Sequence, residues 1–274
     1  MTVINTNVSA TYSQNAMKTN ARSMSTAMEQ LSTGTRVNSA KDDAAGLSIS
    51  QNMTTQIRGL NMAVRNVNDG INMMQTAEGA MVEQSNMLQR MRELAIQSMN
   101  GTYSNTQREY LDKEFQQLSS QIDRIATDTL WNDQQLLMGT AGTSGTFSYQ
   151  AGQSAGQTIE VTISAMTVSN FGISGSEIGT LTAATDTLDT ITSALEKINS
   201  QRATIGAAIN RMEYTADNLA NISSNQTQSR STIMDTDYAI ATTQLAKTQI
   251  IQQASTAMLA QANQQAQGVM ALLK

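Results

Sequence analysis

The residues with the most obvious chemical potential are two adjacent carboxylates, Asp42 and Asp43, in the stretch SAKDDAAG. Paired carboxylates can hydrolyse glycosides when they face each other across a cleft. Adjacent positions on a helix point in different directions, so this pair does not suit that chemistry. Carboxylates at the start of a helix are instead favoured by the positive end of its dipole. We therefore interpret the pair as a helix start and not as a catalytic site.

The composition excludes most other catalytic chemistry. The chain has 274 residues with no histidine and no cysteine. Histidine is the commonest general base and metal ligand, and a zinc-protease HExxH site requires it. Without cysteine there is no disulfide, thiolate metal site or cysteine nucleophile. The net charge of −5 without clustered Lys and Arg does not resemble a nucleic-acid footprint. We predict a protein that is not an enzyme, without a cofactor, metal or nucleic-acid partner.

The sequence also gives no sign of membrane insertion. No apolar run reaches the roughly 18 residues that a bilayer requires. A membrane-active amphipathic helix would carry Lys or Arg on its polar face, whereas the terminal segments carry Gln. The N-terminus lacks the basic, apolar and small-residue regions of a signal peptide. An exported chain of this kind would use a route that does not read such a signal.

Long helices are the dominant pattern. Proline, which breaks helices, is absent. Apolar residues repeat at helical or heptad spacing along three internal segments, which predicts helices that must pack on one another. These stripes are Met53, Ile57, Leu60, Val64, Val67, Ile71 and Met74, continued by Ala77, Met81, Leu88, Met91 and Ala95; Leu111, Phe115, Leu118, Ile122 and Ile125; and Leu188, Ile191, Leu195, Ile198, Ile205, Ile209, Met212, Ala216 and Leu219.

The segment between these helices has a different composition. Residues 139–180 hold half of the 16 glycines and only two charged residues. The stretches GTFSYQ and QTIEVTIS alternate apolar and polar residues, which predicts two strands of a hairpin. A lone hairpin is only marginally stable in water, so we expect it to pack against the helices. The predicted fold is mainly α, a long antiparallel coiled coil and helix bundle formed by both chain ends, with a small β-hairpin insert.

Both ends of the chain form apolar stripes with neutral outer faces. Gln and Asn are frequent there, and Thr248–Leu273 carries no charge. The two end helices can pair with each other, but their outer faces then remain uncharged, which is unusual for a solvated surface. We interpret these faces as contacts between copies of a polymer. The stripes are Ile4, Val8, Tyr12, Met17, Ala21, Met24, Met28 and Leu31, and Met234, Tyr238, Ala241, Leu245, Thr248, Ile251, Ala254, Met258, Ala262, Ala266, Val269 and Leu273.

Several long blocks resemble bacterial flagellin. They are LSTGTRVNSAKDDAAGLSIS, QIRGLNMAVRNVNDGINMMQTAEGAM and LQRMRELAIQSMNGT in the first half, and RATIGAAINRMEYTADNLANISSN and SRSTIMDTDYAIATTQLAKTQIIQQASTAMLAQAN in the second. The resemblance covers nearly all of residues 1–138 and 186–274. At the end, QQAQGVMALLK lacks the proline that related sequences often carry before their final apolar residues.

The resemblance implies an extracellular structural subunit that polymerises into the flagellar filament for swimming. It implies a D0 coiled coil from residues 1–40 and 234–274, and a D1 domain from residues 41–138 and 186–233 with a short insert at 139–185. The chain would leave unfolded through the flagellar type III channel, with an export chaperone, the filament cap and hook–filament junction proteins as partners. Filament-core packing would involve Ile4, Val8, Met24, Leu31, Leu245, Ile251, Met258, Val269 and Leu273.

The segment LQRMRELAIQ is similar to the part of enterobacterial flagellins that the flagellin-sensing Toll-like receptor of vertebrate hosts binds. The resemblance assigns receptor recognition of the monomer to Gln89, Arg90, Leu94 and Glu114. From spacing alone, Arg90 and Leu94 share an ordinary solvated helix face.

A hook–filament junction protein of related architecture is the alternative to a filament subunit.

Overall fold

The computed structural model describes the backbone of residues 6–271 and the side chains of residues 6–264. This part of the chain contains six helices and two small antiparallel sheets. The predicted fold, mainly helical with a small β-hairpin insert, is confirmed. The helices are α1 (Val8–Thr33), α2 (Ala44–Ser98), α3 (Asn105–Asp128), α4 (Val168–Phe171), α5 (Leu181–Met234) and α6 (Tyr238–Ala271), and the strands are β1 (Leu130–Trp131), β2 (Gln134–Gln135), β3 (Thr146–Gln150) and β4 (Thr158–Thr162).

The chain divides into two compact units. The terminal unit consists of Met1–Ile57 and Ser224–Lys274, and the central unit consists of Arg58–Ser223. Because α2 and α5 run through these limits, each contributes to both units. The D0 and D1 limits expected at residues 40 and 233 instead lie close to the breaks between helices, and they stay a prediction.

The central unit is built around one core to which α2, α3 and α5 contribute. The Arg202–Glu78 ion pair (3.5 Å) and the Ser223–Asn61 hydrogen bond (2.8 Å) show that α2 and α5 run antiparallel. The predicted internal stripes face inward, and many of their large members have no exposed surface. Fully buried examples are Met74, Met81, Leu88, Met91, Phe115 and Ile122.

The β3–β4 hairpin packs against this core, as predicted. Phe147 pairs with Val161 and Tyr149 with Ile159 across the ladder. Tyr149 donates a hydrogen bond to the sulfur of Met73 (3.2 Å), and burial raises the pKa of its hydroxyl. Its ring lies 2.8 Å from the place that a Cβ on Gly70 would occupy. Only glycine allows the hairpin to approach α2 this closely.

Two parts of the central unit were not predicted. One is the β1–β2 ribbon, whose turn is formed by Asn132 and Asp133 with positive φ of 47° and 64°. The other is the irregular segment 163–178, which has only the short α4 but buries Ile163, Met166, Val168, Phe171, Ile173 and Ile178. Side chains of α3 fix its backbone: Asp112 and Asp123 each accept an N–H bond of 2.8 Å, from Ile178 and Val168. No periodic pattern in the sequence signals such a segment.

Candidate functional site

The two adjacent carboxylates both have structural roles. The Oδ1 of Asp43 accepts the N–H of Gly46 (2.8 Å) at the start of α2, which confirms the helix-start interpretation. The Oδ2 of Asp42 accepts the hydroxyl (2.9 Å) and the N–H (3.0 Å) of Ser39. The hydroxyl bond is the main cause that lowers the pKa of Asp42, and the backbone bonds add to it. Neither carboxylate is arranged for catalysis.

In the terminal unit, α1 and α6 form an antiparallel coiled coil. Asn7 donates to the carbonyl of Ala262 (3.1 Å), Asn20 to that of Thr248 (2.8 Å) and Tyr238 to that of Leu31 (3.2 Å), which sets the register. The less exposed residues alternate in steps of three and four, the heptad pattern of a coiled-coil seam. This seam consists of Ala10, Ser13, Met17, Asn20, Met24, Ala27 and Leu31 on α1, and of Ala241, Leu245, Thr248, Gln252, Ser255, Leu259 and Ala262 on α6.

A buried polar residue marks the middle of the seam. Asn20 is 8% exposed, and its amide donates to the carbonyl of Thr248 and also to Oε1 of Gln252 (3.2 Å). A shift of register would leave this buried amide without its partners, at a cost of about 1–3 kcal/mol. Asn20 therefore favours one register, the role that single Asn residues have in other coiled coils.

The structure corrects the predicted terminal stripes. Met24, Leu31 and Leu245 lie in the seam, but Val8, Ile251 and Met258 are exposed. The predicted stripes followed the apolar residues of the sequence. The seam instead keeps its regular steps of three and four residues by including the polar Gln252 and the small Ser255. Small residues at several seam positions let the two helices approach closely, and Val8, Ile251 and Met258 are left on the flanks. Ile4, Leu273 and the side chain of Val269 lie outside the described residues.

One flank of the coiled coil is a groove with apolar edges. It has a volume of about 530 Å³, and Tyr12 and Ile251 are among its lining residues. Tyr12 is 78% exposed and Met258 64%. Ile240, Ile251 and Met258 lie on one face of α6 because about three turns and about two turns separate them. Lys247 is the one charged residue that lines the groove within the described part of the chain; the other lining residues are Asn15, Ala16, Thr19, Asn20, Ser23, Gln244 and Thr248.

The two connections between the terminal helices and the rest of the chain pair with each other. Arg36 donates its N–H to the carbonyl of Met234 (2.6 Å) and Thr236 donates to that of Gly34 (3.0 Å). Gly34 ends α1 in the left-handed conformation, with φ of 72°, which favours glycine. The Arg36 guanidinium adds a bond to the carbonyl of Ile233 (2.7 Å). These bonds hold the bases of α1 and α6 together.

The second candidate region is the surface formed by α2 and α3 around Arg90. Its guanidinium contacts Glu114 (2.9 Å) and Glu93 (3.1 Å), and all three side chains are exposed. The carboxylates of Glu114 and then Glu93 raise the pKa of Arg90 above its ordinary value. Gln89 is exposed beside them. The structure thus brings Gln89, Arg90 and Glu114 together on one surface.

Leu94 does not belong to this surface. It is 0% exposed and packs in the core of the central unit, with Met91 and Ala95 of the same helix. The i, i+4 spacing from Arg90 is correct, but the core stripe of α2 is wide enough to include Leu94. The exposed apolar residue of this segment is Ile96, which was missed and which lies two turns from Gln89 on one face.

Within residues 6–271, no helix is long and apolar enough to cross a membrane. In the same part of the chain, no three acidic residues are grouped as metal ligands would be.

Comparisons with known proteins agree on one family. The profile described as bacterial flagellin N-terminal helical region matches residues 4–142, and the one described as bacterial flagellin C-terminal helical region matches residues 188–273. A flagellin of Halalkalibacterium halodurans is 43% identical, covering 99% of this chain and 100% of that protein. A flagellar filament 31.3 kDa core protein of Treponema maltophilum is 39% identical over the same shares.

Solved structures give the same picture. The crystal structure of Bacillus cereus flagellin matches with a TM-score of 0.50 and 31% identity, covering 57% of this chain and 88% of that one. A putative flagellar hook-associated protein from Vibrio parahaemolyticus shares the fold, with a TM-score of 0.60 at 13% identity over 70% of this chain and 99% of that one. The two profiles match both halves of the chain, and the two relatives match it over almost its whole length. Together with the helical fold, they show that the chain belongs to the bacterial flagellin family, the structural subunits of the extracellular flagellar filament.

Proposed function

We propose that this chain polymerises into a helical filament through the outer faces of the α1–α6 coiled coil. The observation that carries the proposal is the outward position of large apolar side chains in the terminal unit, including Tyr12, Ile251 and Met258. Membership of the flagellin family supports a second copy of this chain as the occupant of those faces.

The charge pattern supports a copy of the chain as the partner. Between Tyr238 and Ala271 the only charged residue is Lys247, and α1 contains three, Lys18, Arg22 and Glu29. Many identical helices that crowd around an axis would repel one another if they were highly charged. Burial of one Met, Ile or Tyr side chain at a contact contributes roughly 1.5–3 kcal/mol. A few such contacts on each copy, repeated along a polymer, are sufficient for cooperative assembly.

Matched substitutions of exposed tyrosines test the proposal. We would compare Tyr12→Ser on α1 with Tyr214→Ser on α5, because these side chains are 78% and 77% exposed. Purified full-length protein would be seeded with short filaments and followed by electron microscopy and sedimentation. Tyr12→Ser should raise the critical concentration about tenfold or more, since each 1.4 kcal/mol of contact energy is a factor of ten. Tyr214→Ser should change it much less.

The outcomes of this assay separate the candidate functions. Filaments of Tyr12→Ser at the wild-type critical concentration would contradict the proposed contact. A wild-type chain that stays monomeric with full helical content, even with seeds, would favour the alternative, a hook–filament junction protein.

For the domain organisation, we propose that residues 1–40 and 234–274 form D0 and that residues 41–233 form D1 with the insert 139–185. The helix breaks at residues 34–43 and 235–237 support these limits. The chain would travel unfolded through the type III channel, with the export apparatus, a chaperone, the cap and junction proteins as partners. The absence of cysteine suits this route because no disulfide could form during transit.

We further propose that the monomer is recognised by a vertebrate Toll-like receptor through Gln89, Arg90 and Glu114. The exposed ion pairs of Arg90 and the neighbouring apolar Ile96 support a protein contact here. Arg90→Ala should weaken binding of the purified receptor ectodomain about tenfold or more, as is usual for a central interface Arg. Arg92→Ala on the same helix is the matched control. Equal effects of both substitutions would contradict the assignment.

A further inference from the structure

The turn between α2 and α3 contains the dipeptide Asn100-Gly101. Both residues are exposed and lie outside the helices. Asn followed by Gly is chemically special because the backbone nitrogen of Gly can reach the Asn side-chain carbon with no Cβ in the way. No other Asn in the chain is followed by Gly. The turn has no role in the assembly contact proposed above.

The geometry of the turn favours this intramolecular attack. The N–H of Thr102 donates to Oδ1 of Asn100 (3.1 Å), which folds the side chain back along the main chain. The same bond polarises the side-chain carbonyl and stabilises negative charge on its oxygen, as an oxyanion-hole donor does. Among the hydrogen bonds of the described residues, neither the N–H of Gly101 nor the Nδ2 of Asn100 is a donor. The attacking and the leaving nitrogen are therefore both free.

We propose that Asn100 is a site of spontaneous deamidation in the folded protein. The Gly101 nitrogen loses its proton and attacks Cγ of Asn100, the Cγ–Nδ2 bond breaks, and ammonia leaves after taking up a proton. Water then opens the resulting succinimide at one of its two carbonyls. One opening gives aspartate, and the other gives isoaspartate, in which the main chain runs through the former side chain. Water is the one co-reactant, and no oxidant or metal is involved.

The product changes the surroundings of a buried cation. Arg108 is 8% exposed, and its guanidinium binds the carbonyls of Ser98 (2.8 Å) and Asn100 (3.1 Å) and Oδ1 of Asn105 (3.0 Å). Within the described part of the chain it has no carboxylate partner at ion-pair distance. Aspartate would add a negative charge beside it and keep the carbonyl. Isoaspartate would convert the Asn100 main-chain carbonyl that Arg108 binds into a free carboxylate and route the main chain through the former side chain, which lengthens the turn by one carbon.

The test follows the full-length protein during incubation at neutral and at mildly alkaline pH. Peptide mapping by mass spectrometry would measure deamidation, and protein isoaspartyl methyltransferase would label isoaspartate. The control variant is Gly101→Ala, because a Cβ at Gly101 meets nothing within 4 Å and the backbone there does not require glycine. We expect product at Asn100 to form faster at the higher pH, and about tenfold or more slowly in Gly101→Ala, a barrier difference of about 1.4 kcal/mol.

Asn38 is an internal reference in every sample. It precedes Ser39, another small residue, but its Nδ2 is held by the carbonyl of Thr35 (3.0 Å). Product at Asn100 well above that at Asn38 supports the proposal. Equal rates at the two residues, or equal rates at Asn100 in wild type and Gly101→Ala, would overturn it. So would deamidation of Asn100 that occurs only in the chain unfolded by urea.

Discussion

The two units of the chain use apolar residues in opposite ways. The central unit buries its large ones, and Phe115, Phe171 and Met74 have almost no exposed surface. In the described part of the terminal unit, the hydrophobic residues that are buried are Ala10, Ala27, Val37, Ile57 and Ala241. Met17, Met24, Leu31, Leu245 and Leu259 are partly buried in the seam, and many further large apolar residues are exposed on the helices: Val8, Tyr12, Met28, Ile49, Tyr238, Ile240, Ile250, Ile251 and Met258.

This difference indicates which unit is complete by itself. A core of close-packed large side chains stabilises the central unit without a partner. The seam contains several Ala, Ser, Thr and Asn positions and its Met and Leu residues are only partly buried, so it stabilises the terminal coiled coil weakly and leaves further large side chains for other contacts. Contiguous exposed apolar surface is typical of interaction sites. Changes in the terminal unit should therefore affect assembly, and changes in the central unit should affect stability.

The largest effect is expected from a deletion of residues 1–20. It removes four of the seven α1 seam residues and Tyr12, while the core of the central unit contains none of these residues. Filament formation should be abolished, and the central unit should unfold at the wild-type urea midpoint. Electron microscopy and urea denaturation followed by circular dichroism would measure the two properties. Normal filaments from the truncated chain would refute the assembly role of the terminal unit.

A core substitution should have the reverse effect. Phe115→Ala removes a fully buried ring from α3 and should lower the free energy of unfolding by about 3–5 kcal/mol. Tyr110→Ala on the same helix is the control, because Tyr110 is exposed and such changes usually stay within about 0.5 kcal/mol. Equal destabilisation by both variants in chemical denaturation would mean that α3 does not pack as described.

A smaller effect is expected at the buried amide of the seam. Asn20→Ala leaves the carbonyl of Thr248 without its donor and should cost about 1–2 kcal/mol. Hydrogen exchange would report this as faster exchange in α6, with unchanged protection in the central unit. Asn15→Ala, an exposed position on the same helix, should have little effect on exchange. Unchanged α6 protection in Asn20→Ala would show that the Asn20 bonds do not stabilise the pairing.

The smallest effect concerns the pH dependence of the turn before α2. Bonds from Ser39 lower the pKa of Asp42 below its ordinary value of 3.8. The stabilisation is therefore complete above pH 3.8 and is lost as the pH falls through the lower folded value. Asp42→Asn should remove this pH dependence, and NMR titration of the Ser39 amide would detect the change. A Ser39 amide that titrates equally in both proteins would contradict the assignment.

The sequence predicted the central unit well and the terminal seam only in part. In α2 and α5 the large apolar residues that repeat at helical spacing are mostly buried, so a stripe drawn through them finds the core, as at Ile198 and Met212. In α6 this rule fails after Thr248, because Gln252 and Ser255 occupy the seam and Ile251 does not. Leu94 shows the opposite error, since its spacing from Arg90 predicted a solvated face, whereas it packs in the core.

The sequence by itself determined the helices, the hairpin, the absence of histidine and cysteine chemistry, and the family. The helices, the hairpin and the absent chemistry follow from periodicity and composition, which are local properties of the chain, whereas the family follows from the resemblance of long sequence blocks. Only the tertiary structure decided which face of each terminal helix is buried, where Leu94 lies and how segment 163–178 is held. Those features depend on how closely two helices approach each other and on hydrogen bonds between side chains and backbone groups far away in sequence. An example is the bond from the N–H of Ile178 to Asp112. Such contacts depend on residues far apart in sequence, and no local pattern encodes them.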